Sequence, residues 1–156
     1  MLEMIKNLFS YTDWATPRVI GSLKTLPPGH DTPIKPFAHL LLAEKIWLLR
    51  LTGHDSSVVS PEGDLSLAEC EALAEENRKG YASYLNSIDE AGLDRILHYK
   101  NTKGVEFHTP IKEVLLHLAF HCSYHRGQVA SSVRRDGGTA VNTDYITFVR
   151  ESAERH

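Results

Sequence analysis

Two cysteines in 156 residues, Cys70 and Cys122, are too few and too far apart to build a disulfide framework, so a reducing cytoplasm is the expected compartment. Lysine and arginine form no run, basic and aromatic residues are not interleaved, and the net charge is −3. A nucleic-acid surface needs a basic face, so that class of partner is not expected. The apolar run Leu40–Ala43 stops at Glu44, far short of a membrane span. Met1 to Leu8 mixes charged and apolar residues and has no h-region, so no secretory signal is expected. The sequence contains no GxSxG, no HExxH, no ExxH and no glycine loop able to cradle a phosphate. Their absence speaks against a serine hydrolase of the nucleophile-elbow type, a zincin and a helical di-iron carboxylate centre. An apolar fraction of 42% with 24% charge fits one ordinary globular domain over residues 1–156, with a real core.

What the sequence does have is histidine on a helical rhythm. From Thr109 to about Asp136 the apolar positions step by three and four: Ile111, Val114/Leu115, Leu118, His121/Cys122, His125, Val129, Val133. Thr109 is the expected cap, Pro110 the first helical residue, and Gly137-Gly138 the stop. His121 and His125 stand one turn apart on one face, the spacing at which two imidazoles ligate one cation. Buried histidines held only by hydrogen bonds are the competing reading, and spacing alone leaves the two open. His117 is rotated about 80° from His125 at 3.6 residues per turn, which makes it a supporting group rather than a ligand. Cys122 could ligate as a thiolate, although free cysteine more commonly packs as a small hydrophobe.

Other helices frame this one. Leu2 to about Leu26 carries the stripe Met4/Ile5, Leu8, Tyr11/Thr12, Ala15, Val19, Leu23, and Pro17 predicts a kink or two shorter helices. A second helix starts between Thr32 and Pro36 and ends at Gly53; it is apolar almost all round and therefore central. His39 lies one turn inside it, either as a structural histidine or as the third ligand that the helix-four pair needs. Glu44 is rotated about 140° from His39 and so faces elsewhere; Arg126 is its candidate partner, and a solvated carboxylate is the alternative. Residues 54–65 read as a polar linker. Ser66 and Glu69 then form a capping box for a third helix, about Leu67 to Ile88, whose stripe includes Asn77 as its only polar member. Asn77 is either partly exposed or a supporting or substrate contact. Asp94–Tyr99 and Val105–Thr109 alternate around the turn Asn101–Gly104, a short β-hairpin. Asn142 or Thr143 caps a final helix, about Asp144 to Glu154. The sum is an all-α four-helix bundle, with the hairpin between helices three and four and a short C-terminal helix.

HCSYHRGQVA in helix four, HLLLAEKIWL in helix two, YTDWA in helix one, the NTKG turn and the closing TDYITFVRE together resemble the DinB/YfiT-like superfamily, over nearly the whole chain and in order. The resemblance implies an up-down-down-up bundle, commonly a homodimer, and one divalent metal on three histidines, which here fall on His39, His121 and His125. It also implies a family range that includes S-transferases and isomerases dependent on a low-molecular-weight thiol. Pro17 departs from the regular first helix of such proteins.

Three neutral imidazoles leave coordination positions open, as in catalytic rather than structural zinc sites. Zinc is the expected ion, with nickel and iron also accepting imidazole. His117, Asn77, Arg126 and Glu44 are the candidate supporting residues. The expected function is a thiol-dependent transferase acting on a small electrophilic substrate; metal-dependent hydrolysis and a non-enzymatic dimeric binding module are the alternatives.

Overall fold

The structure, a computed structural model, describes residues 1–154. Five helices run in order: α1 (Leu2–Leu23), α2 (Ile34–Leu51), α3 (Leu67–Ser87), α4 (Ile111–Arg135) and α5 (Tyr145–Ala153). A 3₁₀ turn, Ala91–Asp94, and the strands β1 (Ile96–Lys100) and β2 (Glu106–Pro110) lie between α3 and α4. The strands pair antiparallel with His98 opposite His108. Their turn closes on Gly104 at φ +79°, with the Asn101 side chain accepting from the Lys103 and Val105 amides.

Two core layers give the helix directions. One gathers Ile5 from the start of α1, Leu48 from the end of α2, Tyr84 and Leu85 from the end of α3, and Leu115 from the start of α4. The other gathers Val19 and Leu23, Phe37 and Leu41, Cys70 and Ala74, and Val129 and Val133, from the opposite ends of the same four helices. Thus α1 and α4 point one way and α2 and α3 the other, which is the up-down-down-up order. Each fully buried Leu, Val or Phe in these layers stabilises the fold by about 1.5–3 kcal/mol before entropic costs. A third cluster, Tyr11, Trp14, Ala15 and Phe148, docks α5 on α1; there Glu151 accepts from Trp14 Nε1 at 2.8 Å and pairs with Arg18 at 2.7 Å. Among the described residues, no helix is long and apolar enough to cross a membrane.

Three local expectations need correction. Neither Asn142 nor Thr143 holds the cap position of α5, which falls to Asp144 without a side-chain cap bond, while Asn142 Oδ1 accepts from the Asp144 amide. Helix α1 is continuous through Pro17 rather than split in two. Proline removes the N–H that would serve the Asp13 carbonyl, but its neighbours keep the turn tied: Thr16 Oγ1 donates to the Thr12 carbonyl and Arg18 Nη1 to that of Trp14. Thr109 does not cap α4. It belongs to β2, and Pro110, still extended at ψ 139°, occupies the cap position without a side-chain bond. The hairpin claims Thr109 because its backbone pairs with Leu97. The capping box on α3 is present as expected, with Ser66 Oγ accepting from the Glu69 amide and Glu69 accepting from the Ser66 amide.

Candidate metal centre

The buried stripe of α4 continues through Cys122, Arg126, Val129 and Val133. His121 and His125 sit one residue to the side of it, partly open to solvent rather than in mid-core. That offset turns the pair toward α2, where His39 rises from the second turn. The three rings come together: each contributes one nitrogen to a group whose members all lie within 4.8 Å of one another. The ring centroids of His39 and His125 are 4.8 Å apart, and those of His121 and His125 4.4 Å.

The far side of two rings is already committed. His39 Nδ1 lies 2.9 Å from the Pro61 carbonyl, and His125 Nδ1 lies 2.7 Å from Gln128 Oε1. Both contacting atoms are oxygens that accept, so with the Gln128 amide in this orientation both rings carry their proton on Nδ1 and present a bare Nε2 inward. His125 Nε2 stands 3.1 Å from His121 Nε2, and the His121 Nδ1 atom is buried without a partner among the described residues. Burial, reinforced by the positive charge that His125, His117 and His39 would carry, holds His121 down to about 4. Burial also lowers His125, against a smaller raising effect from Gln128. Both are therefore neutral near pH 7. Neutral, inward-facing imidazole nitrogens at this spacing fit a divalent cation, and holding the outer nitrogens on oxygen acceptors is how ligating histidines are oriented.

Pro61 escaped the sequence reading, and Gln128 stood in it only as a flanking residue without a role. Gln128 follows His125 by three residues, so one helical turn was the only signal for it. The Pro61 carbonyl comes from the 54–65 linker, which carries no periodicity. Glu62 from the same linker also approaches His39 Nδ1, at 3.3 Å.

The four candidate supporting residues divide. His117 lies one turn before His121, with ring centroids 5.4 Å apart, and packs on Trp47 at 5.7 Å. Burial lowers its pKa. Glu44, Asn77 and Arg126 are all buried, but their hydrogen bonds go to groups other than the three histidines, and Glu44 and Arg126 form no ion pair. Glu44 accepts from Asn77 Nδ2 at 3.1 Å and from the Cys122 thiol at 3.1 Å. Arg126 instead lies over the Tyr11 ring at 4.7 Å and donates to Ser123 Oγ. The expected Glu44–Arg126 pair is thus replaced by neutral donors, because the arginine's long stem carries its guanidinium toward α1. Cys122, turned to Glu44, is not among the grouped ligands. Asn77 is 2% exposed rather than partly solvated, its amide bridging Leu41 O and Glu44.

Beside the cluster, the 53–62 segment and the hairpin enclose a cavity of 890 Å³ lined by Pro61 and Glu62 on one side and by Arg50, His98, Tyr99 and Lys100 on another. Arg50 stacks over Trp47 at 4.6 Å and Tyr99 at 5.0 Å.

A helical bundle that carries one histidine on α2 and an HxxxH pair on α4 is matched from end to end, residues 1–156, by the family model for the DinB family. The chain belongs to the DinB family. Among DinB relatives, Protein DinB of Bacillus subtilis (strain 168) is 24% identical over 166 residues, covering 96% of this chain and 95% of the relative.

Proposed function

We propose that this DinB chain is a metal-dependent enzyme of the S-transferase type, in which His39, His121 and His125 hold a divalent cation and a small thiol is brought to it for attack on a small electrophile. The observation that carries the reading is the convergence of three imidazole nitrogens within 4.8 Å. When bound, a zinc, nickel or iron(II) ion would supply Lewis acidity that lowers the pKa of a thiol placed at its open positions. The protein's own residues do the rest. Pro61 and Gln128 fix the tautomers of two ligands, while Trp47 and His117 wall the α2–α4 side against water. Arg50 and Lys100 line the adjoining cavity beside Asp55 and Glu62, and the Arg50 guanidinium is a group that a carboxylate of the thiol could pair with. With no carboxylate among the three ligands, the loaded site keeps its full positive charge and favours an anionic thiolate. We place the enzyme in the reducing cytoplasm, where Cys70 and Cys122 stay as free thiols, and as a homodimer.

Metal analysis of the purified protein tests the first half. Stoichiometric metal is expected, and His121→Ala should remove it while the helical circular dichroism stays; unchanged metal content overturns the site. The second half is tested by thermal shift with bacillithiol, mycothiol and glutathione. A rise in Tm confined to metal-loaded protein is the expected result. Turnover of activated esters without any thiol would instead identify a hydrolase, and silence in both assays a binding module.

A further inference from the structure

On the other side of α2 from the histidines, a cavity of 290 Å³ opens between α1 and α3, with Glu44 and Asn77 among its walls and Asp13 at its rim. Glu71 and Glu75 join Glu44 and Asp13 in its lining against the single guanidinium of Arg78, and Thr12, Thr16 and Tyr81 spend their hydroxyl hydrogens on backbone carbonyls. Asn77 spends its amide hydrogens on Leu41 O at 2.9 Å and Glu44 Oε2 at 3.1 Å. Flipping the amide would set its oxygen against those same two acceptors, so the orientation is fixed. Its Oδ1 is left buried and without any donor among the described residues, an arrangement that costs about 1–3 kcal/mol if nothing fills it. Glu44 is 7% exposed and is bonded only by two neutral donors, Asn77 and Cys122; burial pushes its carboxyl up, and the Arg126 guanidinium acts on it through space without forming an ion pair. Pro17, also in the wall, has no N–H to give the Asp13 carbonyl. At the rim, Arg78 makes a two-bond pair with Glu75 at 2.7 and 2.8 Å and acts on Asp13 only through space, so Asp13 is in no ion pair among the described residues.

The remaining wall is apolar and aromatic. Phe9 and Tyr81 meet at 4.9 Å between centroids, and Ile20 lies toward the far end of α1. The space holds on the order of ten water-sized groups at ~30 Å³ each. Two carboxylates repel an anion, and a bare metal ion would want more oxygen ligands than this wall supplies; the histidine trio is the only metal-competent grouping among the described residues. What fits is a compact molecule rich in hydrogen-bond donors, positively charged, and carrying a short hydrocarbon stem.

We propose that this cavity is a second ligand site, which binds a small primary alkylammonium ion with its charged head among Asp13, Glu44 and Asn77 and its stem against Phe9, Ile20 and Tyr81. The aromatic faces add cation–π attraction to the charge pairing. The Asp13 carboxyl is pushed up to about 6, chiefly by desolvation, with Arg78 lowering it and Glu75 raising it by less.

Isothermal titration of the full chain with n-butylammonium chloride, against 1-butanol at matched ionic strength, tests this. Saturable one-to-one binding of the amine is expected, at least tenfold tighter than the alcohol. Asp13→Asn, an isosteric change at the rim that leaves the core intact, should weaken it at least tenfold, and so should Asn77→Leu if that variant folds. His121→Ala should bind the amine as well as the parent does. Equal binding of amine and alcohol, no saturation, indifference to Asp13→Asn, or loss of binding in His121→Ala would each overturn the proposal, the last by moving the amine to the histidines.

Discussion

Behind two of the three histidine rings stands a group that decides which nitrogen is bare. For His125 that group is Gln128, at 2.7 Å. Gln128→Leu should therefore weaken metal affinity by about 10–100-fold without abolishing it, the usual cost of removing such a partner; competition with a chromophoric chelator measures it. His121 yields a second prediction. Its folded pKa of about 4, set chiefly by burial, lies below the 6.5 of an unhindered imidazole. As pH falls below 6.5, the unfolded chain takes up a proton that the folded chain refuses. The stability tied to the neutral ring is thus complete above 6.5 and drains away toward pH 4. Asp13, raised to about 6, works in the opposite sense as pH rises from 3.8 to 6, so the comparison must be with a variant. In metal-free protein, urea denaturation should show wild type losing stability relative to His121→Gln between pH 6.5 and 4. A difference that stays flat with pH would remove the claim.

Among the elements, α3 is the most polar and relies on its start signal. Its N-terminus is held by the reciprocal Ser66–Glu69 bonds. Ser66→Ala should cost about 0.5–2 kcal/mol, read as a lower urea midpoint at unchanged slope. That capping box was legible in the sequence because both partners lie in one turn. So were the helix count, the hairpin and the HxxxH pair, all of which rest on short-range spacing. Features that depend on tertiary placement were not. Thr109 reads as a cap until strand pairing takes it. Pro17 reads as a break until Thr16 and Arg18 tie the surrounding turns. Arg126 reads as the partner of Glu44 until its stem is followed to Tyr11. His39 was legible as the third ligand through the need of the helix-four pair and the family resemblance, not through spacing; its meeting with α4 depends on the antiparallel run of α2 against α4.

For the molecule as a whole, the up-down-down-up order puts α1 beside α4 in parallel, and α4 keeps two large rings outside, Phe120 at 68% and Tyr124 at 65% exposed, one turn apart. An apolar pair of this kind on an otherwise polar face suits contact between copies. Light scattering on the eluted protein should give twice the 17.5 kDa of one chain, and Phe120→Glu with Tyr124→Glu should halve it. A wild-type chain that elutes at its own mass would exclude the homodimer.

The stretch that steadies His39, residues 52–66, has no ladder of regular hydrogen bonds and belongs to the least cooperative part of such a fold. Pro61 touches His39 through its main chain, so no side-chain replacement can release the ring while leaving the backbone where it is. A shift in this backbone would be felt at the ring, so an ion seated on the three imidazoles would report on a stretch of chain that supplies none of its ligands.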